Sequence, residues 1–113
     1  MGLIVWDNGR VRRAKLEDYM DAVYILLNLI PPGMVTSYST IAKILGVNSR
    51  LIGRILALNR DLIIVPCHRV VRSNGSLGGY SRGVMFKRKL LELEGVAFNN
   101  LRVSRRCFLE NLL

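Results

Sequence analysis
Cys67 is followed directly by the chain's only histidine, His68, and this pair is the feature of the sequence best suited to chemistry. A thiol attacks as its thiolate, and at an ordinary pKa of about 8.5 only roughly a few per cent is ionised at neutral pH. Something nearby must favour the anion. The local candidates are His68 as a proton acceptor and Arg69 and Arg72 as positive charges. In an extended segment neighbouring side chains point to opposite sides, so His68 would reach Cys67 only through a bridging water or a local turn. Pro66 in front of the pair, after a strand-like run, holds the thiol on firm backbone rather than on a loose loop. The plainer alternative is an inert buried cysteine beside a satisfied histidine. Cys107, forty residues on, is expected to be such a core thiol. Two cysteines and one histidine are too few for a self-contained zinc site or a disulfide framework, and no metal or organic cofactor is implied.

The elements that must position the pair can be read outward from it. Before it, Leu62-Ile63-Ile64-Val65 is too short for a helix and predicts a buried extended segment running into Pro66. Further upstream, Ser37 to Ser39 can cap a helix that places Ile41, Ala42, Ile44 and Leu45 on one face and ends at Gly46. Asn48 or Ser49 can cap a second helix, about Ser49 to Leu58, with Leu51, Ile52, Ile55 and Leu56 on its apolar side. Two short helices about a tight glycine turn have the form of a helix-turn-helix, with Ala42 small at the approach and Val47, Ile52 and Ile55 as the wedge. In a DNA reader the second helix is offered to the duplex, with Arg50 and Arg54 near its exposed start. After the pair, Arg72 to Tyr80 is dense in turn residues and predicts a loop or wing. A final helix is predicted from about Val84 to Glu94, with Phe86, Leu90 and Leu93 inward and Lys87, Arg88 and Lys89 outward. At the other end, Asp7-Asn8-Gly9 is turn chemistry for a short hairpin or arm, and apolar residues from Leu16 to Ile30 repeat with helical spacing up to Pro31-Pro32-Gly33. Residues 96–113 suggest a packed tail. The chain of 113 residues, half of them hydrophobic, reads as an arm over 1–15 and a single mainly α, winged helix-turn-helix-like domain over 16–113, with a short strand or wing near Cys67.

Charge narrows the partner. The net charge is +9, and residues 1–30 contribute nothing to it, holding four bases and four acids. From Pro31 onward thirteen bases face four acids, so the whole excess lies with the motifs and suits a polyanion, nucleic acid first among them. The N-terminus lacks a signal-peptide core, and Trp6 stands where a myristoylation signal needs Ser or Thr. No apolar run reaches about 18 residues, so no membrane partner is expected. A monomer in a reducing cytoplasm is the expectation.

Residues from Asp18 to Gly95 resemble the DNA-binding, active-site domain of the O6-alkylguanine-DNA alkyltransferases, and Pro66-Cys67-His68-Arg69-Val70-Val71 resembles that family's active-site signature. Agreement extends to Pro32 through Tyr38 at the entry to the helix-turn-helix, to Gly79-Tyr80-Ser81 in the pocket loop, and to Glu94-Gly95. The resemblance implies that Cys67 takes an alkyl group from a flipped guanine in double-stranded DNA, once per molecule. It makes His68, oriented by Glu94, the base that acts through water, and Asn59 the brace between recognition helix and cysteine. Tyr38 would assist flipping at the 3′ phosphate and donate to the purine. Tyr80 and the Ser81 N–H would line the pocket, and the carbonyls of Cys67 and Val70 would read the exocyclic amine. Arg50 would enter the base stack on the recognition helix that opens with Ser49, approaching through the minor groove. Family members carry a further N-terminal domain, whereas about thirty residues precede the helix-turn-helix here, as in a minimal version or a piece of a longer chain. Arg54 replaces a glycine of the family's helix and Arg60 a proline, and both bear on how the helix meets DNA. Two rivals follow from the same elements: a base-flipping damage sensor without transfer, and a helix-turn-helix regulator.

Overall fold
The computed structural model describes residues 3–59, 65–109 and 112, and the predicted run Leu62 to Ile64, with Arg60, lies outside them. The first elements are an antiparallel hairpin, β1 (Ile4–Asp7) and β2 (Arg10–Arg13), joined through Asn8-Gly9. Both loop residues have positive φ, 53° and 82°, the mirror-image turn whose twist matches a two-residue hairpin. Arg12 ties the hairpin to helix α1 (Leu16–Leu27) by reaching Asp7 and Asp18, each at 2.8 Å. Asp18 also accepts the Lys15 N–H at 2.8 Å, closing the first turn. The helix is shorter than its apolar spacing suggests: it ends at Leu27, and Ile30, buried in the same core, follows in a turn before Pro31.

Helices α2 (Tyr38–Leu45) and α3 (Ser49–Ala57) form the helix-turn-helix. Ser37 Oγ accepts the Thr40 N–H at 3.1 Å and Asn48 Oδ1 the Leu51 N–H at 3.0 Å, caps worth about 1 kcal/mol each. Val23, Leu27, Ile41, Ile52 and Ile55 are fully buried between these helices and α1, and Cys67 and Val70 belong to the same cluster. Strand β3 (Thr36–Ser37) pairs in parallel with β4 (Val70–Val71), Thr36 opposite Val70 and Ser37 opposite Val71. This pairing fixes the start of α2, and so Tyr38, beside the turn that carries Cys67.

A second core of Val35, Val71, Leu77, Leu91, Val96, Val103 and Cys107 lies under α4 (Val84–Leu93). The face of α4 differs from the one its pattern predicts. Lys87 and Leu91 are fully buried, Leu90 is half-buried, and Phe86 and Leu93 are 43% and 73% exposed. The inward stripe therefore runs Lys87 to Leu91, one helical turn apart, because the lysine stem fills core volume while its ammonium finds acceptors there. Beyond it, β5 (Phe98–Asn99) and β6 (Arg102–Val103) make a small hairpin, and the tail crosses Val35, accepting its N–H at Cys107 O (2.8 Å) and donating Leu109 N–H to Val35 O (2.7 Å). Cys107 is core, as expected. The architecture is mainly α, a winged helix-turn-helix with short strands next to Cys67. Among the described residues, no helix is long and apolar enough to cross a membrane.

Candidate active site
Cys67 opens a 3₁₀ turn, Cys67–Arg69, so the local turn that the pair requires is present. The thiol is buried, and its own N–H donates to Val65 O at 2.7 Å. Asn59, immediately beyond α3, donates from Nδ2 both to Val65 O (3.2 Å) and to Cys67 Sγ (3.3 Å), linking the end of α3 to the thiol. Burial pushes the Cys67 thiol up, while the Asn59 hydrogen bond and the charge of Lys87 pull it partly back. This corrects the sequence expectation: the resting thiol is not acidified by Arg69 and Arg72. Arg72 is exposed, and Arg69 is occupied elsewhere.

That other occupation is Glu94. Arg69 donates to both of its oxygens, Nε to Oε1 at 3.0 Å and Nη2 to Oε2 at 2.6 Å, and Nη1 donates to Ile30 O at 2.7 Å. His68, fully buried, places Nε2 3.1 Å from Glu94 Oε2. Burial opposes ionisation of Glu94, but hydrogen bonds from Arg69 and His68 outweigh it and hold the carboxyl below its ordinary range. Burial likewise draws His68 below its ordinary value, with Glu94 resisting. A neutral imidazole beside an anionic carboxylate carries its proton on Nε2, which leaves the Nδ1 lone pair as a base. Nδ1 is buried and has no hydrogen-bond partner among the described residues.

A cleft of about 280 Å³ opens at the thiol, lined by Leu56, Ala57, Cys67, Gly79, Tyr80 and Ser81. Three roomier clefts, about 670, 560 and 470 Å³, do not include Cys67, so chemistry rather than size selects this one. Tyr80 is held between His68, edge-on at 6.5 Å, and Phe86, stacked at 6.3 Å, which explains why Phe86 faces outward yet is useful. Tyr38 stands beside the loop: a Cβ on Gly78 would lie 2.9 Å from the Tyr38 hydroxyl, and Gly78 has φ +73°. Gly78→Ala is expected to lose about 1–3 kcal/mol from the left-handed backbone and the clash together, read as a lower Tm, and to weaken substrate capture. Val70 is buried and its N–H donates to Cys67 O, so that carbonyl keeps one lone pair for a ligand.

The structure thus gathers Cys67, His68, Asn59, Tyr80, Ser81 and Glu94, with Tyr38 and Val70 adjoining. Ser49, Arg50 and Arg54 stand apart on exposed α3. Even so, Arg50, Arg54 and Ala57 share one face by helical spacing, and Ala57 lines the cleft. Sequence reasoning missed the Arg69 clamp and the buried Lys87, both of which look in sequence like ordinary surface cations. Among the described residues, no group of three His, Cys, Asp or Glu could hold a metal ion.

Comparison with known proteins places this geometry. A family profile described as "6-O-methylguanine DNA methyltransferase, DNA binding domain" matches residues 18–96. A methylated-DNA–protein-cysteine methyltransferase of Saccharolobus islandicus is 57% identical over 67 residues, 59% of this chain and 44% of the relative. The crystal structure of Mycobacterium tuberculosis OGT in complex with DNA superposes with TM-score 0.65 at 42% identity, covering 73% of this chain and 50% of that one. Atl1 of S. pombe, crystallised with damaged DNA containing O6-carboxymethylguanine, superposes with TM-score 0.68 at 28% identity, covering 80% and 89%. The chain spans about half the length of the curated relatives it matches. With the family profile covering α1 through α4 and the cleft between them, the chain belongs to the 6-O-methylguanine-DNA methyltransferase family, by its DNA-binding domain.

Proposed function
We propose that this chain reverses O6-alkylguanine damage in double-stranded DNA by moving the alkyl group irreversibly to Cys67, acting as a single domain over residues 16–113 and as a monomer in the cytoplasm. One observation carries the reading: a thiol braced by Asn59 sits in the wall of a cleft, next to a fully buried histidine backed by Glu94. The excess of thirteen bases over four acids from Pro31 onward supplies attraction to the phosphate backbone, and Ser49, Arg50 and Arg54 open the helix that would meet it.

In the step itself, a water between Cys67 and His68 Nδ1 passes the thiol proton to the imidazole. The imidazolium is then stabilised by Glu94, whose own charge Arg69 secures. The sulfur forms a bond to the alkyl carbon while the carbon–O6 bond breaks, and its electron pair leaves with guanine. The departing guanine anion takes a proton from water to become ordinary guanine; in this reading Tyr38 gives a hydrogen bond to the ring, and the Ser81 N–H and Tyr80 bound the leaving group. A buried thiol that ionises only when the relay engages suits a protein that reacts once, because idle alkylation or oxidation is suppressed. A thioether carbon–sulfur bond resists hydrolysis, so each molecule acts once. The test is on the DNA: one equivalent of protein should convert one equivalent of O6-methylguanine in a duplex to guanine and then stop, and Cys67→Ala should convert none. Conversion beyond one equivalent, or by the alanine variant, contradicts the proposal.

A damage sensor that flips and holds the base is the second reading, favoured by the likeness to S. pombe Atl1 over 80% of this chain. A sensor needs no thiol at the base, and this chain keeps Cys67 in the cleft wall.

A further inference from the structure
Lys87 is fully buried, and among the described residues its ammonium has no carboxylate partner. An ammonium has three N–H donors, and three acceptors meet them here: Leu77 O, Gly79 O at 3.2 Å and Tyr38 Oη at 3.5 Å. The two carbonyls belong to the loop that walls the cysteine cleft, in which Gly79 is a lining residue. Between them lies Gly78, against which Tyr38 packs. One buried charge therefore joins α4, the pocket loop and the start of α2 at a single point. A methionine would fill the same volume at less desolvation cost, so the charge itself has a use.

The direction of the hydrogen bonds shows what that use is. An ammonium only donates, so Tyr38 Oη must accept from Lys87, and the tyrosine's own O–H points to some other acceptor. We propose that Lys87 is a positioning residue for the base pocket: it staples the Leu77–Gly79 loop to Tyr38 and orients the Tyr38 hydroxyl to donate to the bound purine. The assignment rests on the base-binding role of the Cys67 cleft argued above.

Burial draws Lys87 down to about 8, with Cys67 opposing and Arg72 adding to the shift. The groups facing it are Tyr38 from α2, Cys67 and His68 from the 3₁₀ turn, and Arg72 after β4. Burial moves Tyr38 and Cys67 upward and His68 downward, each away from the window in which Lys87 loses its proton. Ionisation of Cys67 would moreover raise reactivity. A loss of substrate capture above pH about 8 therefore reports on Lys87.

The experiment is single-turnover alkylation of Cys67 by free O6-benzylguanine, with half-saturating concentration and limiting rate measured from about pH 6.5 to 9.5. In the wild type the half-saturating concentration should rise as pH passes about 8. In Lys87→Met it should be raised about ten-fold or more at neutral pH, as expected for lost hydrogen bonds to a charged group, and should no longer vary across that range. Iodoacetamide, which reacts with the thiol without using the base pocket, should be affected far less. A half-saturating concentration that folded Lys87→Met leaves unchanged at neutral pH overturns the proposal. So does a Lys87→Met effect confined to the pH dependence of the iodoacetamide reaction, which would make Lys87 a modulator of the thiol alone. Should the wild type take up no benzyl group, alkyl transfer fails as a reading. The staple is then judged by the preference for an O6-methylguanine duplex over an undamaged one, which Lys87→Met must reduce about ten-fold and which, if unchanged, refutes it.

Discussion

Glu94→Gln is expected to slow alkyl transfer about 100-fold at neutral pH and to move the pH–rate profile towards alkaline pH. A positioned base contributes about 10²–10⁴-fold, and losing the group that orients it should cost the lower end of that range. The direction follows from the hydrogen bonds. Glu94 raises the basicity of His68 against the effect of burial, so its removal leaves a weaker base that needs more hydroxide to reach the same thiolate population. Stability should fall as well, because the Arg69 guanidinium loses its counter-charge and keeps only neutral acceptors, the Ile30 carbonyl among them. Breaking a buried ion pair costs about 3–5 kcal/mol; here the Glu94 side chain retains 17% exposure, and solvent screening reduces the expectation to about 1–3 kcal/mol. The sign with pH can be checked on the wild type. His68 and Glu94 both have folded values below their ordinary ones, so both contribute stability that is full above pH about 6.5 and is lost progressively on acidification. Thermal unfolding across pH 7 to 4 should show this decline, and a pH–rate profile unchanged in Glu94→Gln would remove Glu94 from the relay.

Arg50→Ala should reduce repair of O6-methylguanine in duplex DNA about 10–100-fold while leaving the reaction with free O6-benzylguanine within about two-fold. Extruding a base costs a few kcal/mol, and each ~1.4 kcal/mol that a side chain recovers by filling the vacated stack is a factor of ten. The free base needs no extrusion. Arg50 is exposed near the start of α3, on the face that ends at the cleft through Ala57, so its loss leaves core and pocket untouched. Equal losses on both substrates would mean that Arg50 acts on the cleft rather than on the duplex.

What is legible in the sequence depends on how local each signal is. The hairpin at Asn8-Gly9 and the caps at Ser37 and Asn48 are set by residues within four positions of one another, and all are legible in the sequence. So is Cys67-His68, where adjacency itself suggests the chemistry. Glu94 lies 26 residues from His68, and only likeness to a family pointed to it. Asn59 is eight residues from Cys67 and by itself reads as a turn residue; likeness to the family marked it as a brace, and its side chain donates to the sulfur. Helix α4 misled for a physical reason: in a run of three cations the pattern assigns all of them to solvent, yet Lys87 satisfies three donors inside. The same bias hid Arg69, whose guanidinium serves Glu94 rather than the thiol. Long cationic side chains carry enough methylene to pass as core, and only the acceptors around the head group reveal which of them do.

The central claim is that the alkyl group ends on Cys67. The direct measurement is mass spectrometry of the intact protein and of its peptides after incubation with a duplex containing O6-methylguanine. The account predicts one methyl group in place of one hydrogen, located on Cys67 and absent from Cys107. Tight binding to the damaged duplex with no change in mass would contradict it and make the chain a sensor of the lesion.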